Sequence, residues 1–256
     1  MNAEMKTIGL LGGMSWESTA VYYQLLNCAV RERLGGLHSA KVLVHSFDFA
    51  EIVALQRGGD WDEAARVLGT AARGLERAGA DVLAICTNTM HKLAPEVQDA
   101  VSVPLLHIAD AARAATQAAG IDCVGLLGTR YTMEQEFLRR RLAGSGGPRV
   151  LVPDGEEMDV VHDIIFSELC AGQVRGSSRE ALLRIIDGLA GRGAQGIVLG
   201  CTELMLLLKP EDCALPLFDT AALHVAALAE FALAGNASLP SVCSSTINST
   251  RKAELV

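Results

Sequence analysis

The chain is short of several things, and each shortage removes a class of function. Aromatic residues make up only 4% of its 256 positions, so Ala, Leu, Val and Gly must fill most of the core. Small aliphatic cores suit helices packed on a parallel sheet. Cationic residues are outnumbered, 22 against 30, for a net charge of −8. The densest basic run, Arg139-Arg140-Arg141, reads as a solvated helix face. An acidic surface without a basic stripe argues against nucleic acid and anionic membranes as partners. No apolar run approaches the roughly 18 residues of a membrane-spanning helix. The opening MNAEMKTIGL lacks the charged, apolar and small-residue order of a secretory leader, so a cytoplasmic protein is expected. Seven scattered cysteines show no CxxC or other metal-like spacing, which predicts free thiols and no metal.

What is present is a regular alternation. Apolar runs at Thr7–Leu11, Lys41–His45, Val82–Ile85, Leu105–Ile108, Val124–Leu127, Arg149–Val152, Gly196–Leu199 and Leu217–Phe218 read as buried strands. Helical patterns such as Trp61–Ala78, Glu134–Leu142 and Arg179–Gly191 lie between them. Such alternation predicts βαβ units and parallel sheets.

The chain also repeats itself. TIGLLGGMS (Thr7–Ser15) matches CVGLLGTRY (Cys123–Tyr131), and GADVLAICTN (Gly79–Asn88) matches GAQGIVLGCTE (Gly193–Glu203). VPLLHIADAA (Val103–Ala112) matches LPLFDTAAL (Leu215–Leu223). The three pairs keep the same order and an offset that drifts by only a few residues. An internal duplication follows: two similar α/β halves of Rossmann-like or flavodoxin-like type, related by a pseudo-two-fold axis. Ligands of open α/β sheets bind beyond the carboxyl ends of the strands. The site is therefore expected in the cleft between the halves, built from 12–18, 87–91, 129–132 and 201–204. The first domain is expected at 5–112 with a returning helix at 221–235, the second at 113–220. A Ser/Thr-rich flexible tail is expected over 236–256.

Aligning the middle pair sets Gly200 opposite Cys86 and Cys201 opposite Thr87. Neighbouring side chains on a strand point to opposite faces, so Cys86 and Thr87 cannot both face the cleft. Cys201 leaves its strand just before the helical run ELMLLLK, where a helix N-terminus would favour the thiolate. GLLGGMS lacks the full GxGxxG and the acidic strand end of a dinucleotide site.

Four separated motifs, GLLGGMSWEST, the TNT of CTNTMH, GLLGTRYTMEQ and GCTEL, together resemble the aspartate/glutamate racemase family. The likeness is greatest to its L-aspartate/glutamate-specific or broad-specificity amino-acid racemases. The resemblance spans residues 5 to 235. It implies a cofactor-independent enzyme, commonly a homodimer, in which two cysteines flank the substrate α-carbon. Inverting a stereocentre needs an acid and a base on opposite faces, and a thiol can be either. The slot of the first cysteine, directly before Asn-Thr, holds Thr87 here. The resemblance thus implies Cys201 as the base toward an L-amino acid and Thr87, directly or through water, as the opposite acid. Asn88 and Thr89 match the substrate-binding motif; Thr202, Thr129 and Met14 are expected around the substrate, with Gln56 and His162 as further candidates. Arg57 and His91 are neighbours of interest. Single-cysteine relatives that decarboxylate malonates or isomerise maleate, and a non-enzymatic amino-acid-binding module, remain as alternative readings.

Overall fold

A computed structural model describes residues 4–234. The tail expected over 236–256 lies outside the described residues. The first half runs β1 (Ile8–Gly12), α1 (Trp16–Leu34), β2 (Val42–Ser46), α2 (Phe49–Gly58), α3 (Trp61–Arg77), β3 (Val82–Ile85), a 3-10 turn (Thr89–Leu93) and α4 (Ala94–Asp99). α5 (Ile108–Ala118) then leads to β4 (Cys123–Gly128), α6 (Arg130–Glu134), α7 (Glu136–Ala143), β5 (Arg149–Leu151) and α8 (Gly155–Asp163). A π-type turn (Ile164–Glu168) precedes α9 (Gly176–Gly191), β6 (Gly196–Gly200), α10 (Leu204–Leu207), β7 (Leu217–Asp219) and α11 (Thr220–Leu233).

All strands pair in parallel, as continuous apolar runs demand. One sheet has the order β2-β1-β3 and the other β5-β4-β6-β7. The expected strand Leu105–Ile108 shrinks to one parallel bridge, Leu83 to Leu105, because His107 already caps α5. Counting that bridge, the two sheets have the same order, which is the repeat rendered in space.

The halves exchange one helix each. α5 follows the first sheet, yet its Ile108, Ala109 and Ala112 pack with Val124, Leu126 and Val198 of the second. α11 follows the second sheet, yet its Ala221, Val225 and Leu228 pack with Ile8, Leu10 and Val82 of the first. The residue expected to end the first domain, Ala112, therefore falls inside α5. The two exchanged helices also pack on each other. Burying an Ala-rich face on each sheet in turn ties the halves together by hydrophobic burial, at about 25 cal/mol per Å² of apolar area.

The arginine run on α7 is solvated and paired: Arg139 and Arg140 reach Glu136, and Arg141 reaches Asp110. Among the described residues no helix is long and apolar enough to cross a membrane.

Candidate active site

The carboxyl ends of β1, β3, β4 and β6 meet at a narrow pocket that opens to solvent. Its walls hold Met14, Gln56, Thr87, Asn88, Thr89, Thr129, Cys201 and Thr202, eight of the nine expected residues. His162 stands apart. It lines an adjoining groove with Arg57 and Tyr131, and its Nδ1 accepts the Arg130 amide at 3.2 Å, which fixes the start of α6. The groove and the pocket share Gln56 and Phe166.

Strand alternation separates the two candidates at the end of β3. Cys86 is fully buried among Ile8, Tyr22 and Leu228, and burial pushes its thiol far above the usual range. Thr87 faces the pocket. In β6 the glycine opposite Cys86 has a reason of its own. A Cβ on Gly200 would stand 3.0 Å from both the Leu127 carbonyl oxygen and the Thr132 methyl.

The first loop reaches the pocket through Gly13, whose φ is +82°. A Cβ there would lie 2.3 Å from the Phe47 carbonyl oxygen, so only glycine lets the loop lean on β2's end. Gly13 N also donates to Thr19 Oγ1 at 2.8 Å, which turns Met14 and Ser15 into the cleft.

The polar groups of the two halves meet directly. Thr89 and Thr129 hydroxyls lie 3.1 Å apart. Asn88 Nδ2 donates to Thr220 Oγ1 at 3.0 Å, and that hydroxyl donates to the Leu199 carbonyl at 2.7 Å. Asn88 Oδ1 is buried with no partner among the described residues. Gln56 Nε2 donates to Met90 Sδ at 3.0 Å.

The most densely bonded of these junctions centres on Glu203, which lies in the expected 201–204 segment without an assigned role. Ser15 and Ser18 hydroxyls from the first half each donate to Oε1 at 2.9 Å. Thr202 Oγ1 and Cys201 Sγ donate to Oε2, at 2.7 and 2.9 Å. Burial alone would raise this carboxyl, but the four donors outweigh it and the pKa is lowered, so Glu203 is an anion. Ser15 caps α1 by accepting from the Ser18 amide at 3.3 Å, and its other partner, Glu203, lies 188 residues away.

The expectation of a helix-stabilised thiolate at Cys201 is corrected here. α10 is a single turn and carries no useful dipole. Burial, then the adjacent Glu203 charge, raises the Cys201 thiol well above its ordinary value. Cys170, also unforeseen, lines the same wall, and burial pushes its thiol up to about 12. The remaining wall is apolar: Phe49, Ile165 and Phe166, the last two presented by the π-type turn. Among the described residues no group of three His, Cys, Asp or Glu has the arrangement of a metal site.

Two similar parallel-sheet halves, facing strand ends, and a cysteine and a threonine in one pocket define a racemase-type fold. The profile of the Asp/Glu/Hydantoin racemases matches residues 11–228. The chain belongs to that family. It is 51% identical to a Yersinia pestis protein of known structure, provisionally described as an Asp/Glu racemase. That match covers 90% of this chain and 100% of that one, with a TM-score of 0.85. An aspartate racemase homologue from Pyrococcus horikoshii is 36% identical over 89% of this chain and 99% of its own, with a TM-score of 0.79. The broad specificity amino-acid racemase RacX of Bacillus subtilis is 26% identical over 64% of this chain and 70% of its own.

Proposed function

We propose that this chain is a cofactor-independent amino-acid racemase acting on L-aspartate or L-glutamate. Cys201, as thiolate, takes the α-proton and becomes a thiol. The carbanion then takes a proton on its other face from the Thr87 hydroxyl, or from a water it holds; solvent restores that proton and accepts the one Cys201 took, which returns the sulfur to thiolate. The observation that carries this reading is the common pocket of Thr87 and Cys201 at matching strand ends, with Cys86 in the core. Asn88 Oδ1, an unpartnered buried acceptor, suits the substrate ammonium. Thr89, Thr129 and Thr202 offer donors to the α-carboxylate, whose charge grows as the proton leaves. Met14 forms part of the wall. Gln56, with Arg57 and His162 in the groove beside it, faces the distal carboxylate in this reading. The domain division at 112 and 221, a homodimer and a cytoplasmic location belong to the same proposal. Exposed Trp16 and Tyr23, a heptad apart on α1, suit a subunit contact.

A broader substrate range is the second reading. Among the described residues no Lys or Arg lines the pocket itself, and much of its wall is apolar. The test is incubation with each L-amino acid in D₂O, read by chiral chromatography and mass spectrometry. α-Deuterated D-product from aspartate or glutamate supports the first reading, and product from neutral amino acids the second. Carbon dioxide from a malonate, conversion of maleate, or binding without exchange would replace both.

A further inference from the structure

His91 is buried and lies outside the substrate wall, between the end of β3 and the start of α5. Its Nδ1 lies 2.7 Å from the Thr87 carbonyl oxygen. A carbonyl only accepts, so Nδ1 carries the hydrogen. On the other side of the ring, the Ile108 amide donates to Nε2 at 3.2 Å. Nε2 is therefore bare, and the partners alone dictate a neutral imidazole of one tautomer. Two further histidines hold the ring in place. His107 packs on it at 4.5 Å between centroids, and His224 meets its edge at 5.7 Å. His224 is itself pinned, accepting from Tyr22 Oη and facing the Leu106 carbonyl, both at 2.9 Å.

The route these bonds trace matters for the chemistry. Thr87 lies two residues before the 3-10 turn, and its carbonyl orientation sets the peptide plane that follows its side chain. Ile108 is the first residue of α5, the helix that crosses to pack on β4 and β6. β6 ends at Gly200, next to Cys201. One side chain thus braces the acid on the first half against α5, the helix that packs on β6, and β6 is the strand that leads to the base. We infer that His91 is a positioning residue that sets Thr87 relative to Cys201, and through it the efficiency of reprotonation on the Thr87 face. This rests on the proposed two-face racemisation. It does not touch the substrate, so the abstraction step at Cys201 is left alone.

The distinguishing measurement is the fate of the carbanion in D₂O. Return of deuterium from the Cys201 side yields deuterated L-substrate; delivery from the Thr87 side yields D-product. The ratio of the two is a partition that general damage to the fold lowers in neither direction. His91→Asn keeps a donor near the Nδ1 position, whereas His91→Gln places its amide near Nε2 and withdraws that donor. We expect His91→Asn to keep a partition close to the parent's, and His91→Gln to shift it toward deuterated L-substrate by roughly tenfold to a hundredfold, as small misplacements do. Equal partitions in parent and both variants overturn the inference and leave the racemase reading intact. Absence of any exchange or inversion in the parent, with every L-amino acid, overturns the racemase reading itself. Nitrogen-15 histidine NMR of the parent adds a check independent of any variant: an Nε2–H tautomer at His91 overturns the bracing geometry, and Nδ1–H supports it.

Discussion

Cys201 Sγ lies 2.9 Å from Glu203 Oε2, so the proposed base donates its hydrogen to a carboxylate held ionised by three hydroxyls. The pair is directional. The bond fixes where the sulfur points, while the negative charge beside it makes a thiolate harder to form.

That relationship predicts a pH profile. Because the Cys201 thiol is raised, kcat/KM toward an L-substrate should climb with pH into and beyond the ordinary thiol range. Glu203→Gln removes the charge that helps raise it, so the ascending limb should move to lower pH. A limb that stays in place, or moves to higher pH, contradicts the assignment. The variant should also lose about 1–3 kcal/mol of stability, since one of the two acceptor oxygens of a buried hydrogen-bond cluster becomes an amide donor.

The asymmetry of Thr87 and Cys201 predicts unequal directions. Turnover from the D-enantiomer requires Thr87 to act as base, which a hydroxyl does poorly, so kcat with D-substrate should fall well below that with L-substrate. Thr87→Cys should raise the D-substrate rate, and Cys201→Ser should reduce the L-substrate rate by about a hundredfold or more. Initial rates with each enantiomer decide it, and unchanged activity of Cys201→Ser would refute the role of the thiol. The equilibrium ratio must stay the same in every case.

The buried histidines predict acid sensitivity. Burial, assisted for His107 by Arg141, lowers His107 to about 3 and His224 to about 4, and burial lowers His91 as well. Unfolded, each would titrate near 6.5. Between these values the unfolded chain binds protons that the folded chain refuses, so stability rises with pH across that window and is lost as pH falls through it. Each histidine contributes about 1.4 kcal/mol per pH unit there. Urea midpoints should drop steeply from pH 6.5 toward pH 4, and a flat profile would contradict the buried, neutral ring cluster.

The first loop predicts an intolerant glycine. Gly13→Ala adds a methyl facing the Phe47 backbone at a φ of +82°. A destabilisation of about 1–3 kcal/mol is expected, with weaker substrate binding because Met14 and Ser15 are carried on the same loop. Thermal melts and KM should both register the change, and wild-type values for both would refute it.

Much of this site is legible in one dimension. The repeat sets Thr87 against Cys201 and Cys86 against Gly200, and strand alternation sends one of Cys86 and Thr87 inward. Polar residues at the ends of apolar runs mark Asn88, Thr89, Thr129 and Thr202. His162, expected to face the cleft from the second domain, lies on α8 beside Arg130 in the adjoining groove. Ser15, Ser18 and Glu203 were not legible as a cluster, since their meeting depends on how the two halves close.

The sequence by itself therefore determined the parallel strands, the doubled plan and which residues leave the strands as polar ends, because periodicity and repetition are local properties of the chain. Only the tertiary structure decided the exchange of α5 and α11, the raised rather than lowered Cys201 thiol, and the histidine brace behind Thr87. Each of these depends on groups distant in the chain. Burial, charge and hydrogen-bond partnership act through space, and no spacing along a sequence encodes them directly.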